Sequence, residues 1–523
     1  MPDRIRYHPF DALPRRLEEA DALLKGSFRF AGEAVQIAGE SIFDQIPPTA
    51  AWAAGLHAFE WLSPLSAAGG QAARDLATRL ISEWLERNSR YSEPAWSAEV
   101  TARRLVQLFA HGRFVIANSD LLWRSKLFVS LGRQAALLAR IAGEASPGSP
   151  RIDAAVGSLL CCSCLEDDPG RRDAALRKLE HEIALQILPD GGHISRSPEE
   201  LLLIYRQIVM AIDALTILDT AIPDWLRNAH DRVAPMLRFF RQGDGGLALF
   251  NGGGEGDSRT VASLLARDEI RGQPLLYARH SAYQRLAAGR SLAILDCGAP
   301  PPGPYSTRAH AGCLAFEFAA GARRIVVNCG AEKDDSARWQ GTLRATAAHS
   351  TVTIADTSMA EVLAPGRARD LLGARLVARG DLPQTERSES VNGWKVEASH
   401  GFYLPVFGIQ HQRVLCLSRR GTKLSGCDRL QPKGSRTSAA LPFVARFHIH
   451  PDIRVSPAQG GDVLLKLPGG EGWRFRCAGR VDIEESVYVS QAGTRRTEQL
   501  VLNGVVRNAP AELAWAFEQI GAD

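Results

Sequence analysis

The sequence of 523 residues has no continuous run of about 18 apolar residues, so it predicts no transmembrane helix. It has no long run of lysine or arginine and no RNA- or DNA-binding motif, and its net charge of +4 is small for this length. A nucleic-acid partner is therefore not expected. The N-terminal stretch MPDRIRYHPFDALPRR lacks the apolar core of a signal peptide, which predicts a cytoplasmic protein.

Three frequent kinds of site are also missing. No GxSxG motif is present, which leaves an α/β-hydrolase without support. No pair of CxxC motifs is present, which excludes a zinc ribbon, and we expect the nine cysteines to be reduced thiols buried as small apolar groups. The glycine-rich segment 243–257, GDGGLALFNGGGEGD, lacks the Lys-Ser/Thr of a phosphate-binding loop, and we interpret it as an interdomain loop that can close over a ligand.

Residues 50 to about 240 have the periodicity of successive helices. Trp52, Leu56, Phe59 and Leu62 follow each other at three- and four-residue spacing and make one apolar stripe. Further segments of this kind follow, separated by short loops rich in Pro, Gly, Asn and Ser. Long sequential helices without strands between them are typical of an α/α hairpin array, either a solenoid or an incomplete toroid.

From about residue 280 the pattern changes to short β-branched runs that alternate with turns, for example RRIVVNCG and STVTIAD. Such runs at this spacing predict an antiparallel β-sandwich. A chain of this length is too long for one hydrophobic core. We therefore divide it into an N-terminal segment 1–48, a helical domain 49–243, an interdomain region 244–285 and a β-sandwich domain 286–523.

Four segments carry a resemblance to the heparinase II/III polysaccharide lyases. RAHAGCLAFEF (308–318) resembles the H-x-H-x-D strand of that family, RIVVNCG (324–330) its strand ending in Asp-x-Gly, and RATAAHSTVTI (344–354) its R-x-x-x-x-H-N-x-V element. ILPDGGHISRSP (187–198) is similar to its helix-joining DGG turn. The resemblance implies an N-terminal α/α toroid, an incomplete barrel, followed by a C-terminal antiparallel β-sandwich.

The resemblance also implies an activity, the cleavage of an acidic, uronate-containing glycan by β-elimination. Such an enzyme needs a base for the proton next to the sugar carboxylate, a group that neutralises this carboxylate, and an acid for the leaving oxygen. The family's Asn-His pair falls in GSPRIDAA (148–155), which contains neither residue, and its Tyr falls on Glu199 and Glu200. Its catalytic His falls on Arg308. A lyase activity of this chain would therefore need reassigned roles.

Three residues are candidates for these catalytic roles: His193, Tyr305 and Arg308. His193 lies in the DGG turn, and loops carry function more often than helices do, although Ser197 in the same turn would also cap the next helix. Tyr305 lies in a Pro/Gly loop that would enter the interdomain cleft. The substrate-binding candidates are Arg196, next to His193, Arg344, which with Arg308 suits a carboxylate or sulfate, and Trp339, which suits stacking on a sugar ring. Packing or a surface position is the alternative for each.

In the family, a structural zinc ion is held by the second His of H-x-H, the Asp of the next strand and the His of the H-N element. The matching positions here are His310, Asn328 and His349. Two imidazoles remain, whereas an amide is a poor zinc ligand. The alternative is a hydrogen-bonded contact between the two histidines without metal.

Three hypotheses follow for the function. The first is a divergent polysaccharide lyase that binds an acidic polysaccharide or oligosaccharide between toroid and sandwich. The second is a non-catalytic glycan-binding or envelope-biogenesis protein with the same fold. The third is a glycoside hydrolase, which would need a pair of carboxylates that face one substrate. Glu199 and Glu200 are adjacent on one turn, but their side chains point apart, so they make a poor pair. Members of the family work mostly in the periplasm, whereas the N-terminus of this chain predicts the cytoplasm. The sequence leaves open whether the chain forms a homodimer.

Overall fold

Helices fill the first half of the chain in the computed structural model, which describes residues 2–10, 17–117, 119–268, 272–331, 339, 341–433, 440–490 and 493–521. The helices of this half are α1 (Leu17–Leu24), α2 (Ala50–His57), α3 (Leu62–Ala68), α4 (Gly70–Arg87), α5 (Ala98–Ile116), α6 (Leu121–Ile141), α7 (Ser149–Cys164), α8 (Pro169–Gln186), α9 (Pro198–Ile217), α10 (Asp224–Phe240) and α11 (Ser258–Leu265). Cap side chains accept a backbone N–H at the start of several helices, as Ser97 does for α5 and Ser197 for α9. No helix in the described part of the chain is both long and apolar enough to span a membrane.

Helix α7 packs against both α5 and α9 in the helical domain. Ala102 of α5 lies against Gly157 of α7, where an added Cβ would stand 3.0 Å from the Ala102 Cβ, so this glycine permits the close approach. The segment before α2 contributes Phe28 and Ile42 to the same core, and α11 contributes Val261. The helical core therefore draws on residues from the predicted segments 1–48 and 244–285 as well.

Strands β1 (Ser27–Phe30) and β2 (Glu33–Gln36) form a hairpin in the N-terminal segment, and the remaining strands build the C-terminal half. These are β3 (Tyr277–Ala278), β4 (Tyr283–Ala288), β5 (Ser291–Asp296), β6 (Phe316–Ala320), β7 (Arg323–Val327), β8 (Val352–Ile354), β9 (Ala360–Val362), β10 (Leu376–Ala378), β11 (Gln384–Ser390), β12 (Gly393–His400), β13 (Ile409–Ser418), β14 (Lys423–Pro432), β15 (Leu441–Ile449), β16 (Arg454–Pro457), β17 (Val463–Lys466), β18 (Gly472–Cys477), β19 (Val481–Ser490), β20 (Gly493–Val506) and β21 (Ala511–Gln519). Two short helices, α12 (Arg367–Leu372) and α13 (Leu404–Phe407), interrupt them.

Two antiparallel sheets make the sandwich. One has the strand order β11-β12-β13-β14-β21-β18-β17-β16, and the other has the order β19-β20-β15-β7-β6-β5-β4-β3, with β8 also paired to β15. Aromatic side chains fill the space between them: Phe316 of β6 stacks on Trp515 of β21 at 5.3 Å, and Phe318 meets Trp473 of β18 edge to face. Helices followed by an antiparallel sandwich confirm the predicted fold class.

The glycine-rich segment 243–257 is fastened to the sandwich along its length. Asp244 accepts a hydrogen bond of 2.7 Å from Arg324, and the amide of Leu249 donates to the buried carboxyl of Glu317 at 3.0 Å. This segment was expected to close over a ligand. In the structure it forms a strap between the two domains, with its backbone and side chains bonded to β6 and β7, and closure over a ligand stays a prediction.

All nine cysteines are free thiols, and six of them are buried. Burial raises the pKa of the buried thiols, for example that of Cys297 to about 12. Six cysteines are thus buried as expected, whereas Cys416, Cys427 and Cys477 are only partly buried, and the reduced state of the thiols stays a prediction.

Candidate functional site

The DGG turn of the helical domain docks onto the start of the sandwich. Gly191 has a φ of +86°, and a Cβ on it would stand 2.0 Å from the carbonyl oxygen of Arg232, so no other residue fits there. The carboxylate of Asp190 accepts the backbone N–H groups of His280 and Ser281, each at 2.7 Å. The turn and the first sandwich strands are therefore held together, and the residue after the turn has a fixed place at the domain interface.

That residue, His193, is 2% exposed, and both of its ring nitrogens are bonded. Nε2 lies 3.0 Å from Oε1 of Gln186, whose amide group donates to the carboxylate of Glu182 at 2.7 Å, so Oε1 accepts and Nε2 carries the proton. Nδ1 lies 2.6 Å from the hydroxyl of Ser195. Burial lowers the pKa of His193 to about 4, so the ring is neutral at pH 7 and Nδ1 accepts the Ser195 proton.

Tyr305 approaches His193 from the sandwich domain. It lies in the short 3₁₀ turn Gly303–Ser306, and its half-buried ring meets the imidazole edge to face with the centroids 6.2 Å apart. Burial raises the pKa of the phenol, and the charge of Glu182 adds to this shift. Tyr305 is therefore a neutral phenol at pH 7. The structure brings these two catalytic candidates together, and their roles stay predictions.

Arg344 anchors the loop that carries Tyr305. Its Nε donates to the carbonyl oxygen of Ala309 at 2.9 Å, and its Nη2 donates to that of Ser306 at 3.0 Å. Burial, together with the positive charge of Arg369 on α12, lowers the pKa of Arg344 to about 10. Two arginines thus lie beside the Tyr305 loop, which is an environment that favours an anionic ligand.

Arg308 is exposed on the same loop, and its backbone packs against the Gly252 turn, where a Cβ would stand 2.3 Å from the Arg308 carbonyl oxygen. Trp339 is partly buried and packs against a small apolar cluster that contains Cys329 and Leu343. The predicted roles of Arg308 in charge neutralisation and of Trp339 in stacking remain predictions.

Arg196 points away from His193, because its φ of +59° turns the chain at this residue. Its guanidinium is buried: Nε donates to Ser281 O and Nη1 to Ala299 O, both at 2.9 Å, and Nη2 pairs with the carboxylate of Asp296. The guanidinium also lies over the ring of Tyr283 at 4.7 Å. Arg196 thus joins the two domains, and the substrate contact predicted for it would require these bonds to open.

The predicted zinc ligands do not make a suitable donor set. His310 Nδ1 lies 3.1 Å from His349 Nε2, and His349 Nδ1 lies 2.9 Å from the carbonyl oxygen of Ala345, so the two rings bond each other directly. The side-chain nitrogen of Asn328 instead donates to the carbonyl oxygen of Leu249, and its side-chain oxygen accepts the backbone N–H of Ser350. Among the described residues, no group of three or more His, Cys, Asp or Glu side chains can hold a metal ion. The side chains of His310, Asn328 and His349 therefore fit the alternative, a hydrogen-bonded histidine pair without metal, better than a tetrahedral zinc site.

Glu199 and Glu200 do not form a carboxylate pair. Glu199 accepts the backbone N–H of Gly254 at 2.8 Å, whereas Glu200 accepts that of Ser149 at 3.2 Å. The two carboxylates are thus bound to different segments, as their adjacency on one turn predicts. A glycoside hydrolase built on this pair gains no support from the structure.

Sequence reasoning missed Gln186 and Ser195, the partners of His193, and a polar contact deeper in the helical domain. There Gln207 of α9 donates to Asp153 of α7 at 2.6 Å, and burial raises the pKa of Asp153 to about 6. Ser195 lies only two residues after His193 in the segment 187–198, and this short spacing is a sequence signal for a contact between the two side chains. Gln186 and Gln207 belong to no motif, and only the packing of helices brings them to their partners.

Comparisons with known proteins agree with this architecture. The family described as "Heparinase II/III-like, C-terminal" matches residues 270–516. The FtsZ-localized protein C of Caulobacter vibrioides (strain NA1000 / CB15N) is 32% identical over 98% of this chain and 90% of its own length.

Among solved structures, heparinase III superposes with a TM-score of 0.75 at 12% identity, over 99% of this chain and 88% of that one. A mutant of the heparan sulfate lyase HepC from Pedobacter heparinus gives 0.63 at 15% identity, over 98% and 84%. At such identities the superpositions show the shared fold alone. Together with the matched C-terminal domain and the full-length relative, they establish that the chain belongs to the heparinase II/III-like family.

Proposed function

We propose that this chain binds an acidic, uronate-containing glycan in the cleft between the helical domain and the sandwich and cleaves it by β-elimination. The observation that carries the proposal is the contact between His193 and Tyr305 across the domain interface, at 6.2 Å between ring centroids. Burial shifts their pKa values in opposite senses, so a neutral imidazole and a neutral phenol meet at one site. These are a base and an acid in the protonation states that the reaction needs.

The base would act through Ser195, since His193 itself is almost fully buried. As the hydroxyl of Ser195 takes the proton from the carbon next to the sugar carboxylate, its own proton moves over 2.6 Å to His193 Nδ1. Gln186 holds the ring in the required tautomer through its bond to Nε2. The electron pair left on the carbon forms the new double bond, and the glycosidic C–O bond breaks.

The leaving oxygen would take its proton from Tyr305, whose phenol stays protonated at neutral pH because burial raises its pKa. Arg308, exposed on the same loop, would neutralise the sugar carboxylate while negative charge develops on it. Arg344 and Arg369 add positive charge beside this loop. An acidic glycan therefore suits the cleft better than a neutral one.

A spectrophotometric assay tests the proposal. The full chain is incubated with a panel of uronate polymers, and the absorbance of the unsaturated uronate ends is followed. We expect a steady rise with at least one acidic polymer and none with neutral glycans. No rise with any polymer of the panel would overturn the lyase function.

A second candidate function is non-catalytic, and the full-length relative favours it. That protein is 32% identical over nearly the whole of this chain, and its name places it with FtsZ. On this alternative, the chain would bind glycan without cleaving it and act in envelope biogenesis at the site of FtsZ. Glycan binding without product, together with co-sedimentation of the chain with polymers of the FtsZ from its own cell, would favour it over the lyase.

A further inference from the structure

The polar contacts of His193 continue into the helical domain and reach a buried carboxylate. Gln186, the last residue of α8, is 0% exposed, and its side-chain nitrogen donates to the carboxylate of Glu182 at 2.7 Å and to the carbonyl oxygen of Gly148 at 3.1 Å. Glu182 lies one turn earlier on the same helix and is 7% exposed. Its other carboxylate oxygen lies 3.6 Å from Nη1 of Arg151 on α7. Glu182 thus joins α7 to the end of α8, next to the imidazole.

These contacts favour one orientation of the Gln186 amide. Both acceptors face its nitrogen, so a flip would turn Oε1 against a carboxylate and a carbonyl oxygen and leave both without this donor. Oε1 therefore faces His193 and accepts the proton of Nε2 at 3.0 Å. On the other side of the ring, the backbone N–H of Ser195 donates to Nδ1 at 3.2 Å. Both sides of the imidazole thus agree on the tautomer with its proton on Nε2.

Glu182 also acts on the second reacting group of the proposed site. Burial raises the pKa of the Tyr305 phenol, the negative charge of Glu182 adds to this rise, and the positive charge of Arg151 opposes it. The charged group that acts on His193 itself is Glu200, whose negative charge opposes the lowering of the pKa by burial. One buried carboxylate therefore influences both the amide that holds the imidazole and the phenol that packs on it.

We infer that Glu182 is a positioning residue, which fixes the amide of Gln186 and through it the tautomer of His193. The lone pair of Nδ1 is thereby kept on the side of Ser195, whose hydroxyl gives its proton to this nitrogen. The inference rests on the proposed function, because only a base that acts through this hydroxyl needs the lone pair there. Glu182 itself neither gives nor takes a proton in the reaction.

The substitution Glu182→Gln should reverse the direction of these hydrogen bonds with little change in shape. The new carboxamide oxygen should keep the contact with Arg151, which can only donate, so the new amide nitrogen would face Gln186. Gln186 then turns its oxygen towards this nitrogen and its own nitrogen towards Nε2 of His193. The imidazole proton would have to move to Nδ1, where no lone pair is left for the proton of Ser195.

Nuclear magnetic resonance of the full chain measures the tautomer without any substrate. Long-range proton–nitrogen spectra of the chain with isotope-labelled histidines show which ring nitrogen carries the proton, and His193→Gln identifies the signals of this ring. We expect the Nε2–H form alone in the parent and the Nδ1–H form in Glu182→Gln. Glu180→Gln, at an exposed carboxylate of the same helix, is the matched control and should keep the parent form. A folded Glu182→Gln variant that shows only the Nε2–H form would overturn the inference.

Turnover of a uronate polymer gives the second readout. Relative to Glu180→Gln, kcat of Glu182→Gln should fall by at least about tenfold, because general-base catalysis is impaired, while KM changes little. The alkaline limit of kcat should also move to lower pH, because the phenol of Tyr305 loses the negative charge beside it. Equal pH profiles for the two variants would contradict the positioning role. A parent chain without turnover would overturn the proposed function, whereas the spectra would still decide whether Glu182 fixes the tautomer.

Discussion

His193 of the helical domain and Tyr305 of the sandwich pack edge to face across the domain interface, with their ring centroids 6.2 Å apart. Neither domain contains both residues, so the pair exists only when the DGG turn and the loop before β6 are docked. Asp190 and Arg344 hold these two segments through backbone hydrogen bonds.

Replacing Tyr305 by Phe keeps the ring that packs on His193 and removes only the hydroxyl. If the phenol protonates the leaving oxygen, kcat should fall by roughly 100- to 10,000-fold, the usual size of a general-acid contribution, while KM changes little. Initial rates of unsaturated-product formation measure the effect. Tyr277→Phe removes an exposed phenol on β3 and is the matched control. Equal rates for the two variants would remove Tyr305 from the chemistry.

Arg196→Met tests the role of this arginine in joining the domains. The substitution leaves the carboxylate of Asp296 buried at 3% exposure without its counter-charge. We expect the free energy of unfolding to fall by about 3–5 kcal/mol, measured by urea unfolding. Lys423→Met breaks an exposed pair with Glu518 and should cost about 0–1 kcal/mol. A loss for Arg196→Met no larger than that of the control would contradict the role.

Acid should destabilise the protein between pH 6.5 and pH 4. Burial lowers the pKa of several histidines, those of His57, His193 and His349 to about 4 and that of His448 to about 3. Each is neutral in the fold but binds a proton near pH 6.5 when unfolded, so its contribution is complete above pH 6.5 and is lost as the pH falls. Glu317 and Asp153 act in the opposite sense, because burial raises their pKa to about 7 and about 6 and the fold prefers their protonated forms.

The histidines outnumber these two acids, so the net slope should be on the order of 1–3 kcal/mol per pH unit, at about 1.4 kcal/mol for each unmatched proton. Urea unfolding at several pH values measures it. In His349→Gln the slope should decrease by about the contribution of one proton. A stability that is flat or rises from pH 6.5 to pH 4 would show that these rings are not held neutral by the fold.

Removal of metal should leave the protein unchanged. His310 and His349 bond each other directly, and Asn328 is bonded to Leu249 and Ser350, so a zinc ion would have to break several hydrogen bonds for only two imidazole ligands. We expect elemental analysis to find well below one zinc per chain and a chelator to leave the unfolding temperature unaltered. Stoichiometric zinc, or a lower unfolding temperature after chelation, would favour the zinc site that the family resemblance implies.

The fold can be predicted from the sequence because each helix and strand leaves a pattern in its own short segment. The stripe that begins at Trp52 indicates one helix, Ser197 predicts the start of α9, and alternating β-branched runs indicate the strands. Helical periodicity up to about residue 240 and strand patterns from about residue 280 give the order of the two domains, and the resemblance of the segments around His310 and His349 to the heparinase II/III lyases agrees with it. None of these inferences needs a contact between distant residues.

Less of the candidate site can be predicted from the sequence, because the site depends on the direction of individual side chains. Arg196 and His193 are three residues apart in one turn, yet the positive φ of Arg196 sends its guanidinium to Asp296, 100 residues away. The contact between Asp153 and Gln207 spans 54 residues and requires the register of α7 against α9. No spacing in the sequence encodes either contact.

The mass of the reaction products tests the central claim most directly. The full chain is incubated with a uronate-containing hexasaccharide, and the fragments are weighed by mass spectrometry. β-Elimination adds no water, so the two fragments should together have the mass of the substrate, and Tyr305→Phe should form them at least about 100-fold more slowly. Fragments whose summed mass exceeds that of the substrate by one water, or a substrate that remains intact throughout the panel, would contradict the lyase function.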